Sequence, residues 1–301
     1  MTQFTEEPFL QSDFKDHSDI SFIKQNIKTL LEVDFSSLSP RQRKEVLFKH
    51  LECLPVKVTY LDPESFNDKI FYRTRLNISE SEDRNLIRTY SYPPASFCRE
   101  NGRANLKGKS VFYCSNSALS TIVEAKPKVG DQGSLSIWKG NSERTLKCGI
   151  FFGSELPNIN PWQNVARDFH QEQVRHGLRN PSLKNDISLE ILKFIEERFK
   201  HESPDYPLTS IIADEMIFGS RWKHFIVYPS VKDIGHSCNY AFHPNIADLY
   251  LKFVKVIRFK IFEIDGEEYQ IGIGRVGEVI NSAIEWREPN DVEKNFDRFQ
   301  R

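Results

Sequence analysis

The chain has 301 residues, room for one large domain or for one domain with a small accessory unit. Hydrophobic residues make up 39% and aromatics 12%, with 23 Phe against 2 Met, so the chain can bury a large, stiff core and global disorder is excluded. Lys+Arg 41 against Asp+Glu 42 leaves a formal charge of -1; a polyanion would have to be held by a local patch, which disfavours a dedicated nucleic-acid binder.

The N-terminal stretch MTQFTEEPFLQSDFKDHSD is acidic and has no basic segment followed by an apolar one, so it does not read as a secretory signal. No apolar run approaches the roughly 20 residues that span a bilayer, and no membrane partner is expected. Cys53, Cys98, Cys114, Cys148 and Cys238 are odd in number and scattered, which points to a reducing compartment and a cytoplasmic location.

In chain order, Ile20, Ile23, Ile27, Leu30 and Leu31 recur at helical spacing. A second helix is predicted to start at Ser39, with Pro40 in its first turn and Gln42 placed for a capping box. These helices belong to an extension over 1–58, too short to bury its own apolar stripe, which should pack on the remainder of the chain. From Val56 the texture changes to short apolar runs between Gly, Pro, Asn and Ser. Strands are predicted at Ile70 to Arg75, Ser110 to Cys114, Ser134 to Trp138, Cys148 to Phe152, Phe225 to Tyr228 and Phe253 to Ile264. Asp265-Gly266 then signals a hairpin into Tyr269 to Val276. Helices are predicted at Ser117 to Lys126, Ile187 to Lys200 and Leu208 to Phe218. The expected fold class is α+β with mixed or antiparallel sheets, divided as 1–58, a main domain at 59–250, and a C-terminal hairpin and tail at 251–301.

Several motifs fail when weighed. Gly272-Ile273-Gly274-Arg275-Val276-Gly277 matches G-x-G-x-x-G, but only 24 residues follow it, too few for the helix and acidic residue of a dinucleotide fold, so a glycine-rich strand end or turn is expected. Arg43 and His50 have the R-x6-H spacing of helical ribonuclease modules, but on a lysine-rich helix a solvated face is the plainer reading. His236, Cys238 and His243 lack neighbouring further ligands, so no metal is expected and the segment is read as a loop over a site.

Three segments survive. Phe71-Tyr72-Arg73-Thr74-Arg75 is an aromatic strand with arginines. Gly102-Arg103-Ala104-Asn105-Leu106-Lys107-Gly108 is a glycine-flanked turn that runs through Tyr113 into a helix carrying Glu124. Tyr228-Pro229-Ser230 ends a strand, with Asn239 following. Guanidinium and ammonium groups beside glycines suit a diphosphate, because the fork chelates oxygens while the backbone comes close. A phenol stacks on a heterocycle, and a carboxylate grips ribose hydroxyls or stabilises an oxocarbenium-like centre. Taken singly, each residue has an ordinary structural explanation as a salt-bridged strand residue, a turn residue, a core aromatic or a cap.

The order and spacing resemble the RES domain, named for its Arg, Glu and Ser. Arg73 matches its first Arg; Arg103, Asn105 and Gly108 match its turn; Tyr113 stands ten residues past Arg103 and Glu124 eleven past Tyr113; Ser230 and Asn239 match its serine and trailing Asn. The resemblance covers about 65–245. The sequence departs at Asn101-Gly102, where a doubled glycine is usual, at Ala104, where an aromatic is usual, at Lys223-His224 in place of Asp-Gly, and in a longer stretch between Glu124 and Ser230.

The resemblance implies an ADP-ribosyltransferase-like core and cleavage of the nicotinamide–ribose bond of NAD+, by phosphorylase or glycohydrolase chemistry, in a toxin or defence effector. It implies Arg103, Tyr113, Glu124 and Ser230 as catalytic and Arg73, Asn105, Lys107, Gly108 and Asn239 as substrate-binding. NAD+ is then a substrate, inorganic phosphate a co-substrate and no cofactor is required; an antitoxin or inhibitory protein is the expected partner. A mono-ADP-ribosyltransferase and a non-catalytic interaction protein on the same scaffold stay open as alternatives.

Overall fold

The computed structural model describes residues 20–51, 57–152, 156–158, 160–168, 184–230, 236–266 and 268–294. Its helices are α1 (Ile20–Leu31), α2 (Pro40–Leu51), α3 (Pro63–Asn67), α4 (Ala118–Glu124), α5 (Lys184–His201), α6 (Thr209–Ile217), α7 (Pro244–Tyr250) and α8 (Asp291–Lys294). The strands are β1 (Lys57–Leu61), β2 (Ile70–Leu76), β3 (Phe112–Ser115), β4 (Gln132–Gly140), β5 (Leu146–Ile150), β6 (Phe225–Pro229), β7 (Cys238–Phe242), β8 (Leu251–Asp265), β9 (Glu268–Ile280) and β10 (Ala283–Arg287). The architecture is mixed α+β. The described strands form one 10-stranded sheet in the order β1-β5-β6-β7-β3-β2-β4-β8-β9-β10. Its one parallel pair is β5 with β6, whose connection carries α5 and α6, as a parallel crossover requires. Strands β8 to β10 extend the sheet beyond β4, with β8 paired to β4 from Gln132↔Lys260 to Gly140↔Leu251.

Period-two alternation sends β6 and β7 side chains to two cores. Phe225, Val227, Tyr240 and Phe242 face one side with Phe66, Phe71, Phe112 and Trp138. There the phenylalanines interlock: Phe225 stacks on Phe242 at 4.5 Å, and Phe71 and Phe112 meet Phe242 and Trp138 edge-on at 5.3 and 5.1 Å. Each such ring contributes about 1.5–3 kcal/mol by leaving water, and this layer makes a stiff floor under the other face.

On that other face Ile226, Tyr228 and Ala241 meet α5 and α6 through Ile191, Ile195, Phe199, Ile212 and Met216. The same core takes in Ile23 and Leu30 of α1 and Leu47 and Leu51 of α2, so the N-terminal helices bury their apolar stripe on α5 and α6. Helix α2 has its capping box: Ser39 N–H donates to Gln42 Oε1 at 3.0 Å, while Gln42 N–H points back at Ser39 Oγ at 3.4 Å. Farther along the same face, α4 packs Ala118 and Ile122 on Leu135, Phe259 and Ile261.

Two sequence expectations change. Residues 238–242 form a strand inside the sheet, where a loop was expected; all five are buried, so they show no alternation, and their His, Ser and Gly neighbours imitate a loop. The glycine string 272–277 lies within β9, not at its end. A Cβ on Gly272 would fall 2.1 Å from the Phe262 ring, which lies over the backbone there. Arg43 and His50 bind locally, Arg43 to the Leu38 carbonyl and His50 to that of Val46. Among the described residues no helix is long and apolar enough to cross a membrane.

Candidate active site

Strands β2 and β3 pair at a single position, Tyr72↔Ser115, and then part. Arg73 fills the gap: its Nε donates to Ser91 O at 3.1 Å and its Nη1 to Tyr113 O at 3.0 Å, with Phe112 under the guanidinium at 5.6 Å. Burial, then the neighbouring Arg75, pull its pKa down to about 10, so it remains a cation at neutral pH.

Above this gap, between the C-terminal end of α4 and strands β2, β3, β6 and β7, opens a cleft of about 240 Å³ lined by Arg73, Thr74, Tyr113, Thr121, Glu124 and Asn239, among others. Ser117 caps the start of α4 by accepting from Ser120 N–H, and Thr74 Oγ1 meets Thr121 Oγ1 at 2.9 Å, tying the helix to β2. Glu124 is the last residue of α4, so its carboxylate sits at the unfavourable, negative end of the helix dipole and needs other partners. They come from far along the chain. Ser230 Oγ donates to Glu124 Oε1 at 2.7 Å and Asn239 Nδ2 donates to the same oxygen at 2.6 Å. The Arg103 guanidinium stands 3.7 Å from Oε2. Ser230 and Asn239 are buried, at 1% and 5% exposure, whereas the Glu124 and Arg103 side chains keep 24% and 19%, so the carboxylate and guanidinium stay open to solvent while the two neutral donors support the carboxylate from within.

The turn carrying Arg103 is closed by reciprocal bonds between Gly102 and Asn105, at 2.9 and 3.3 Å. Tyr113 OH locks it from beneath, accepting from Ala104 N–H at 2.7 Å and donating to Asn105 Oδ1 at 2.8 Å. A Cβ on Gly102 would lie 2.3 Å from Asn105 Oδ1 and 2.8 Å from the Tyr113 hydroxyl, so only glycine fits. Burial holds the Tyr113 phenol above its usual range, and it is neutral at any physiological pH. Tyr228, whose thoroughly buried phenol is likewise pushed up, lines the cleft as well.

Of the residues singled out from sequence, Arg73, Arg103, Asn105, Tyr113, Glu124, Ser230 and Asn239 thus converge. Lys107 and Gly108 do not: both are exposed, and Lys107 lines a different cleft of about 450 Å³ between the N-terminal helices and residues 202–208. Sequence reasoning missed Thr74, Thr121 and Tyr206, the last with its ring 5.5 Å from the Arg103 guanidinium carbon. Nothing in local spacing marks Tyr206, which reaches the site from another element. Near the strand end, Cys238 N–H donates to Asn116 Oδ1 at 2.7 Å and His243 Nδ1 accepts from Asn245 N–H. Among the described residues no three His, Cys, Asp or Glu side chains gather as metal ligands. Comparisons with protein-family models, with curated proteins and with solved structures each found no match.

Proposed function

We propose that this chain consumes NAD+ by cleaving the bond between nicotinamide and ribose, on an ADP-ribosyltransferase-like core, as an effector that depletes the dinucleotide. The observation that carries the reading is the convergence of Arg103, Ser230 and Asn239 on the single carboxylate of Glu124 at a cleft floor. Its support in sequence is the RES-like spacing of the same residues. The cleft of about 240 Å³ is smaller than the roughly 300–1,000 Å³ of pockets that enclose a whole drug-sized ligand, so it suits one end of the dinucleotide, with the remainder on the open rim.

In this reading the electrons of the C–N bond return to the pyridinium nitrogen, nicotinamide leaves neutral, and positive charge appears on the ribose ring. Glu124, fixed by two neutral donors that do not cancel its charge, stabilises that ring and its hydroxyls. Arg103, with Arg73 behind it, meets the diphosphate or an incoming phosphate. Addition of water gives ADP-ribose and a proton; addition of phosphate gives phosphorylated ADP-ribose.

The test is to incubate the purified chain with NAD+, with and without phosphate, and to separate the products. Nicotinamide release is expected, with ADP-ribose or its phosphorylated form identifying the acceptor, and labelled ADP-ribose on macromolecules marking transfer instead. Glu124→Gln keeps an oxygen for Ser230 and Asn239 but removes the charge, so it should cut turnover at least about 100-fold at nearly unchanged Tm. No nicotinamide from a folded wild type would defeat the reading.

A further inference from the structure

Residues 202–208 connect α5 to α6 in a shape that costs energy. Asp205 and Tyr206 are consecutive non-glycine residues with φ of 92° and 40°, each a conformation that costs on the order of 1–3 kcal/mol and persists only where the surroundings dictate it. The surroundings do so. The Glu202 carboxylate accepts from Leu208 N–H and Thr209 N–H, both at 2.9 Å, and from Thr209 Oγ1 at 2.6 Å. Tyr206 N–H donates to Ser203 O and Ser210 N–H to Tyr206 O, both at 3.1 Å. Asn101 Nδ2, next to the Gly102 turn, donates to Asp205 O at 3.1 Å, while Asn101 Oδ1 accepts from Lys107 N–H at 2.8 Å on the far side of that turn. Together these bonds hold the loop backbone at Asp205 and Tyr206 against the turn that carries Arg103. The ring lies against the Arg103 guanidinium at 5.5 Å, within the range of a cation–π contact.

We infer that Tyr206 is a positioning residue of this site, a ring held in a strained loop to keep the Arg103 guanidinium turned toward Glu124. The inference rests on the reading of the site as one that cleaves NAD+, and it adds a residue from outside the turn, helix and strand ends that supply the other groups. Among the described residues two neighbours define the direction of Arg103, the carboxylate of Glu124 at 3.7 Å and the ring of Tyr206. Without the ring, the guanidinium keeps a single long ion pair and is free to swing out of the cleft mouth. The attraction comes from the face of the ring, so the hydroxyl is dispensable and phenylalanine should substitute for tyrosine, whereas leucine, of comparable bulk but without a π face, should not.

Two measurements on Tyr206→Leu and Tyr206→Phe test this. In NAD+ turnover, Tyr206→Leu should lose about tenfold in kcat/KM, mostly as a raised KM because Arg103 meets a charge that the substrate carries throughout, while Tyr206→Phe stays within about twofold of wild type. In the absence of any substrate, phenylglyoxal should modify Arg103, followed by peptide mass spectrometry, about tenfold faster in Tyr206→Leu than in wild type or Tyr206→Phe, at matched Tm. Equal Arg103 modification in all three proteins, or an active wild type whose turnover Tyr206→Leu matches, would overturn the inference. A wild type that turns over no NAD+ would sink the proposed reaction alone, since the modification rates still decide what Tyr206 does.

Discussion

Tyr113 shows how a residue can serve the site from beneath it. Its hydroxyl bonds two successive residues of the Arg103 turn, taking the Ala104 N–H and giving its proton to the Asn105 side chain, and neither Ala104 nor Asn105 has appreciable access to water. Tyr113→Phe should therefore leave a buried donor and a buried acceptor unpaired and lower stability by about 1–3 kcal/mol, which denaturant unfolding would read as a lower midpoint at constant m. An unchanged midpoint would mean that the turn holds itself. The same geometry limits what sequence could say. Spacing brought out Arg103, Tyr113 and Glu124, because a turn, a strand and a short helix follow one another there. It assigned Lys107 to the same task because adjacency in the chain is all that spacing can see, and the chain reverses at Gly102 and carries the lysine to another surface.

Among the elements, the strands that end in a clear turn, β2, β4, β6, β8 and the β8–β9 hairpin, were legible from apolar runs and the Asp265-Gly266 signal, and α4, α5 and α6 from their periodicity. Strand β7 was not, since burial on both faces erases alternation, and α3 and α7 are too short to show a helical repeat. At the C-terminal side, one carboxylate joins several elements. Glu293 of α8 accepts from Lys255 of β8 at 2.7 Å and from Arg287 of β10 at 2.7 and 2.9 Å. Hydrogen bonds from Arg287 first, then from Lys255 and the Asn290 N–H, hold its pKa down to about 2. A carboxylate depressed in the fold stabilises it above the unfolded value near 4.3 and loses that contribution as pH falls toward 2. Glu293→Gln should cost about 1–2 kcal/mol at pH 7, discounted for the solvent-screened Arg287, and a few degrees of Tm, and the difference from wild type should vanish near pH 2. A difference that persists at pH 2 would assign the effect to packing.

At the scale of the whole molecule, the balance of 41 basic and 42 acidic residues leaves the weak field outside to a few placed groups, while the interior responds to pH through its phenols and thiols. Burial raises the pKa of Tyr72, Tyr90, Tyr92, Tyr113, Tyr228 and Tyr240, Tyr90 to about 12, and lifts the Cys114 and Cys148 thiols well above their usual range. Acids whose folded pKa is raised stabilise the fold below their unfolded values and lose that contribution as pH climbs past them, here from about 8.5 for the thiols and about 10 for the phenols. Tm should fall from pH 9 upward and steeply beyond pH 10; a level Tm to pH 11 would contradict this. The sheet order carries one last consequence, for the living chain. Glu124 waits for partners 106 and 115 residues farther on, and at roughly 5–20 residues per second the ribosome needs about 6 to 23 s to add the second of them. A chain interrupted before β7 would display Glu124 at the end of its helix with no Asn239 to fix it, so the order of synthesis itself makes this cluster one of the late features of the chain to be completed.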